Sequence, residues 1–281
     1  MPTHAILPVK HLHDSKRRLA HLLSADERAD LIGRFLDNLL LTLSATPGIN
    51  RTLVVTCDPA VVRLARRRGA DVLLEAAADG LNTAAARGAA HAAAQGATAV
   101  LLLPADLPFA RVTDIEAMLR PLEQVPGSRF QVPGKERSSL APGPWPLAPS
   151  SEVPGEEAHA KAQRSEGAKE AEQASSSLPL RLGPLAPWRE SSSLAPGPWP
   201  LAPLLAVCPD ETEDGTNALL LAPPGDFTFR YGPGSFRAHL AEADRHGRAA
   251  HVIPAPGLRF DLDTESDWLV YNGYLVGVGE E

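Results

Sequence analysis

Several common function classes are excluded by what this chain does not contain. Only two of its 281 residues are cysteines, Cys57 and Cys208. They lie far apart and outside any C-x-x-C pair, so reduced, buried thiols are expected rather than a disulfide framework. The nine histidines are scattered, with no H-x-x-x-H and no Cys/His cluster of zinc spacing. His239 falls on a helical stretch with apolar neighbours and reads as structural. No apolar run approaches the ~20 residues that span a bilayer. No charged leader precedes an apolar stretch at the N-terminus, and a soluble, cytoplasmic protein is expected. A net charge of −7 gives no global positive field for nucleic acid, so an anion would be met by a local cluster of Lys and Arg. G-x-x-x-x-G-K-[ST], G-x-G-x-x-G after the first strand, and G-x-S-x-G are all missing. These absences argue against a P-loop, a dinucleotide fingerprint and a nucleophile elbow.

Apolar residues make up 44% of the chain, enough for a substantial core, but composition changes sharply in the middle. Residues 122–204 hold fourteen of the 27 prolines and three of the four tryptophans. Ser138 to Pro149 reads SSLAPGPWPLAP, and Ser192 to Pro203 repeats it letter for letter. An irregular period built from Pro, Ser and Gly favours polyproline II or disorder over a solenoid. The segment reads as a tolerated surface insertion, since loop-closure entropy grows only logarithmically with length. The organisation expected is therefore one domain in two parts, 1–121 and 205–281, interrupted by a disordered insert over 122–204.

Outside the insert, strand and helix alternate. Apolar strands are expected at 5–9, 52–56, 72–74 and 99–103. In the second block they are expected at 205–207, 218–221, 251–253 and 258–260. Ser24 and Glu27 form a capping box, and Asp58-Pro59 supplies an N-cap and first-turn proline. Further helices are expected near 82–95, 113–120, 235–246 and from 265. Repeated βα units imply an α/β domain with a mainly parallel, doubly wound sheet that binds ligands at the strands' carboxyl ends.

The residues at those strand ends carry the candidate chemistry. Lys10, Lys16, Arg17 and Arg18 follow the first strand and suit a polyphosphate, Arg17 least specifically. Gly80 and Asn82 follow the third, where glycine admits a base or ribose and Asn82 either meets it or caps the next helix. Asp106, fixed between two prolines after the buried AVLLL strand, is placed to hold Mg²⁺ or to cap a turn. Thr216 lies in DGTN, and Gly232 and Ser235 in YGPGS at a helix start; there a small anion or an ordinary N-cap is expected. Asp261 and Asp263, if extended, point to one side and complete a metal site with Asp106; alternatively Asp263 or Thr264 caps the next helix.

LPVK with KRRL, SADERADL, GLN, LLLPADLP, DGTNALLL, YGPGSFRAHL and LRFDLDTESDW, in this order, resemble the 2-phospho-L-lactate guanylyltransferase family of coenzyme F420 biosynthesis. The resemblance covers nearly all of 1–121 and 205–272. It implies a single GT-A-like, Rossmann-type nucleotidyltransferase domain that transfers GMP from GTP to a small phosphorylated three-carbon acid. The acceptor would be 2-phospho-L-lactate, phosphoenolpyruvate or 3-phosphoglycerate, and a homodimer is possible by the same likeness. The resemblance places Lys10, Lys16 and Arg18 at the GTP phosphates, and Asp106, Asp261 and Asp263 at Mg²⁺. It places Thr216, Gly232 and Ser235 at the acceptor, and Gly80 and Asn82 near the nucleoside. KRRL departs from the more usual K-S/T-R-L, and the insert carries none of these motifs. Competing readings are a related transferase with a molybdopterin or sugar phosphate acceptor, and an inactive homologue that binds a partner through its proline-rich insert.

Overall fold

The computed structural model of the protein describes residues 1–77, 79–123 and 202–277. All lie in one compact unit. The insert expected over 122–204 falls outside the described residues except at 122–123 and 202–204.

Strands β1 (Thr3–Val9), β2 (Ile49–Thr56), β3 (Asp71–Leu74), β4 (Ala99–Leu102), β5 (Leu204–Pro209), β6 (Thr216–Ala222) and β7 (Ala249–Val252) form one sheet in the order 3-2-1-4-6-5-7. The β1–β2, β1–β4, β2–β3 and β5–β7 pairs are parallel. Only β6 runs against its neighbours, antiparallel to both β4 and β5. The sheet is thus mainly parallel, as expected, with one reversed strand near its middle. That reversal brings the start of β6 to the edge where β1, β4 and β5 end.

Helices cover both faces. On one, α1 (Ala25–Ala45), α2 (Pro59–Arg67), α4 (Val112–Leu119), the short α6 (Pro256–Arg259) and α7 (Glu265–Gly277) pack against Ala5, Leu7, Leu101 and Leu220. On the other, α3 (Leu81–Ala94) and α5 (Ser235–Arg245) pack against Ile6, Val55, Val100 and Leu219. β4 is buried at every residue because its alternate side chains enter opposite cores, which explains an unbroken apolar run. The α1 capping box forms, with Ser24 Oγ accepting from Glu27 N–H at 3.2 Å and Glu27 Oε2 from Ser24 N–H at 2.8 Å. Asp58 caps α2, its carboxylate accepting from Ala60 N–H at 2.7 Å.

One expected strand is absent. Residues 258–260 do not extend, and Pro256–Arg259 forms a single helical turn. Pro256 presets the first helical position, and Gly257 N–H donates to the buried Asp114 carboxylate at 3.2 Å. A Cβ at 257 would collide with that carboxylate and with the Phe109 carbonyl, so only glycine allows the approach. The alternating Leu258-Arg259-Phe260 joins no ladder against these contacts. Asp261 and Asp263 are consequently held by a loop, not by strand pleat.

α3 also lies close to the sheet. A Cβ on Gly88 would stand 2.6 Å from Ile6 Cγ2 and 3.0 Å from Val55 Cγ2. Gly88→Ala is therefore expected to destabilise the protein by about 1–3 kcal/mol through overpacking. Gly33→Ala in α1, where the added Cβ meets nothing within 4 Å, should stabilise it by about 0.5–1 kcal/mol. Urea unfolding of the two variants checks both signs.

Candidate active site

Lys16 organises the carboxyl edge. Beyond β1 the chain makes two 3-10 turns, Leu12–Asp14 and Arg17–Leu19, and Lys16 caps the second with φ 51° and ψ 44°. A left-handed lysine costs roughly 1–2 kcal/mol, and here it turns a long side chain inward until only 6% is exposed. The Lys16 ammonium donates to Asp106 Oδ2 and stands 3.5 Å from Asp263 Oδ1. Burial alone would lower its pKa, but the carboxylates of Asp106, Asp263 and Asp261 outweigh burial and raise it. Arg18, exposed, reaches the other Asp263 oxygen at 2.6 Å. Arg17 pairs locally with Asp14 at 2.6 Å.

The three aspartates arrive from two directions. Asp106 follows β4 through Pro104, and its backbone carbonyl accepts from Leu262 N–H at 3.4 Å, stitching the two segments together. Asp261 is held by Asn217, whose amide donates to its carboxylate at 3.2 Å and to the Arg259 carbonyl at 3.0 Å. Burial, then repulsion from Asp106, pushes the Asp261 pKa up to about 6, against the opposing Asn217 hydrogen bond and Lys16 charge. Thr264 and Asp267 cap α7 reciprocally, Thr264 N–H donating at 2.6 Å to Asp267, which leaves the Asp263 carboxylate for the cations. Asp106 Oδ1 is buried without a hydrogen-bond partner among the described residues. Among the described residues no three acidic, His or Cys groups stand together so that they could hold a metal ion as they are. An orphaned carboxylate oxygen beside two further carboxylates nonetheless fits a hard cation that keeps waters and phosphate oxygens as its remaining ligands.

A cleft of about 260 Å³ opens beside this cluster, lined by Lys10, Lys16, Gly80, Asp106 and Asp263 among others. Lys10 is exposed there and has no ion-pair or hydrogen-bond partner among the described residues. Gly80, with φ 95°, is the N-cap of α3, so Asn82 lies inside the first turn and is not the cap. Asn82 instead clamps the Tyr231 backbone. It accepts from Tyr231 N–H at 2.6 Å and donates to the Tyr231 carbonyl at 3.2 Å.

Thr216, Gly232 and Ser235 form a second cluster next to the first. A bulge opposite Pro209 sets both Thr216 and Asn217 against one residue of β5, and the two side chains then serve different partners. Asn217 turns to Asp261, and Thr216 turns to α5. Gly234, left-handed at φ 71°, is the N-cap of α5, so the Ser235 hydroxyl is free of capping and meets Thr216 Oγ1 at 3.3 Å. Gly232, at φ 131°, stays exposed beside them. His239 meets Thr216 Oγ1 through Nδ1 at 3.0 Å, and its Nε2 accepts from Arg230 N–H at 3.0 Å. Burial drives its pKa down to about 4. The sequence reading left Asn217 out and took His239 as packing only. The one available signal was the four-residue spacing from Ser235 to His239, which puts both on one helix face.

Residues 3–125 match the family described as "Guanylyl transferase CofC like". Over 267 residues the chain is 32% identical to a protein of Rubrobacter xylanophilus named phosphoenolpyruvate guanylyltransferase, covering 95% of this chain and 92% of that one. A Sphaerobacter thermophilus protein of the same name is 27% identical over 267 residues, covering 95% and 91%. Among solved structures, a nucleotide-diphospho-sugar transferase from Desulfovibrio desulfuricans superposes with a TM-score of 0.57 at 13% identity, covering 96% of this chain and 87% of that one. A nucleotidyl transferase from Methanothermobacter gives 0.51 at 12%, covering 98% and 99%. At such identities the likeness shows the fold, which is the GT-A-like α/β arrangement expected from the sequence.

The raised Asp261 pKa has a sign that can be tested. Its proton is held more tightly in the folded chain than in the unfolded one. The resulting stabilisation is complete below about pH 4 and is lost as pH rises through about 6. Asp261→Asn, with no charge to bury, is expected to melt a few degrees above the wild type at neutral pH without divalent cation, a gain of about 1–2 kcal/mol. The difference should shrink as pH falls below about 6 and be mostly gone near pH ~4; thermal melts across that range read it directly.

Proposed function

Because the chain belongs to the CofC-like guanylyltransferase family, we propose that it transfers GMP from GTP to phosphoenolpyruvate with release of pyrophosphate, in coenzyme F420 biosynthesis in the cytoplasm. The observation that carries this reading is the convergence of Lys16, Asp106 and Asp263 on one cleft, with the Asp261 carboxylate near enough to feel their charges. The name of the relatives that align over nearly the whole chain supports the acceptor.

A phosphate oxygen of the acceptor attacks the α-phosphorus of GTP. The new P–O bond forms as the bond to the bridging α–β oxygen breaks, and pyrophosphate leaves with that electron pair. The attacking oxygen is already anionic, so no general base is required. Catalysis reduces to aligning two anions and cancelling their repulsion. Lys10, Lys16 and Arg18 neutralise the triphosphate. Gly80 lets the nucleoside approach the start of α3, and Asn82 braces that end against the acceptor loop through Tyr231. Thr216, Gly232 and Ser235 bind the phospho-acid. Asp106, Asp261 and Asp263 would hold Mg²⁺, and the orphaned Asp106 oxygen supports that assignment. When bound, Mg²⁺ supplies charge neutralisation at the phosphates.

Incubation with GTP and Mg²⁺ plus phosphoenolpyruvate, 2-phospho-L-lactate or 3-phosphoglycerate is expected to release pyrophosphate, with phosphoenolpyruvate the preferred acceptor. No pyrophosphate with any of them would sink the proposal. Asp106→Asn should cut kcat by about 10²–10³-fold while leaving the far-ultraviolet circular dichroism unchanged; near-normal turnover would remove Asp106 from the site.

A further inference from the structure

His239 is fully buried yet not apolar in its bonding, and both ring nitrogens are engaged. The Arg230 backbone N–H is only a donor, so Nε2 must be the acceptor at that 3.0 Å contact. A neutral imidazole then carries its proton on Nδ1, which donates to Thr216 Oγ1 at 3.0 Å. Ser235 Oγ lies 3.3 Å from the same oxygen, a contact in which either hydroxyl can donate. Each hydroxyl has two lone pairs and one proton. One proton satisfies the contact between the pair, so the other is left over, and neither oxygen has a further acceptor among the described residues.

We propose that His239 is a positioning residue for the phospho-acid: by holding the Thr216 oxygen through Nδ1–H, it commits the remaining proton of the Thr216–Ser235 hydroxyl pair to an anionic oxygen of the acceptor. The proposal rests on the reading of Thr216, Gly232 and Ser235 as the acceptor site. The surroundings keep the ring in this role. The Tyr231 ring stands edge-on at 4.9 Å and Phe227 lies at 5.9 Å, which fixes the imidazole plane. Burial opposes protonation and outweighs the nearby Glu242 carboxylate, so the ring stays neutral and Nε2 stays an acceptor. A protonated ring would present N–H at both positions and break the contact with Arg230. Thr216 and Asn217 are adjacent, so the same bulge that aims Asn217 at Asp261 aims Thr216 at His239. Acceptor and metal-side groups are thereby set by one irregularity in β6.

The test has two arms. In ¹⁵N-histidine-labelled wild type, long-range imidazole NMR should show His239 protonated at Nδ1 and bare at Nε2 from about pH 5.5 to 8. An Nε2–H tautomer, or titration within that range, overturns the proposal. In steady-state assays with GTP and phosphoenolpyruvate, His239→Leu should raise the acceptor KM about tenfold or more with the GTP KM unchanged. His239→Asn, whose amide N–H can replace Nδ1–H, should restore the acceptor KM to within about threefold of wild type. Equal losses in Leu and Asn, or KM values for both substrates rising together, would reduce His239 to packing. Should His239→Leu fail to fold, Thr216→Val leaves the ring in place and should raise the acceptor KM to the same extent; an unchanged KM there overturns the proposal. If wild type transfers GMP to no phospho-acid, the acceptor reading fails and this role with it. An Nε2–H tautomer in an active wild type removes only the role of His239.

Discussion

Three carboxylates brought to one sheet edge repel one another, and the edge is stable only with a cation among them. Lys16 supplies that cation. Its strained backbone and buried side chain make sense as the means of delivering an ammonium group into the space between Asp106 and Asp263. The arrangement leaves an imbalance. One Asp106 oxygen has no partner among the described residues, and Asp261 holds its proton to unusually high pH because burial and a second carboxylate disfavour its charge. A half-buried acidic cluster that is only partly compensated is poised for additional positive charge. A nucleotide triphosphate brings the opposite need, since its own anions require cations at the same edge.

Assembly of this edge depends on the direction of a single strand. If β6 ran parallel to its neighbours, Thr216 and Asn217 would lie at the far end of the sheet from Asp106. Running antiparallel, β6 begins where β1 and β4 finish. The bulge at its first residues then splits two adjacent side chains between the carboxylate cluster and α5. The clamp of Asn82 on Tyr231 is one of several contacts that join the two blocks of sequence, here across 149 positions.

Much of the fold was legible locally. The capping box, the Asp58-Pro59 start and the unbroken apolar run of β4 report interactions within a few residues, and such signals survive in any context that buries them. The helical turn at 256–259 was misread because Leu258 and Phe260 alternate as a strand would. The deciding contact was Gly257 with Asp114, 143 residues away in the chain. Asn82 and Ser235 have the composition of caps, but a glycine with positive φ stands before each helix and takes that position. Their polar groups were thereby left for distant partners.

The residue types and their order along the chain were therefore enough to establish an α/β domain, its family likeness, and cations and aspartates at strand ends. These follow from hydrophobic period, turn chemistry and motif, all properties of short windows. Only the tertiary structure decided that Lys16 points inward, that Asp261 answers to Asn217, and that His239 is bonded to Thr216 and not merely packed. Each of those outcomes is a hydrogen bond or ion pair between groups far apart in sequence. Its existence depends on strand direction and a one-residue bulge that no local pattern encodes.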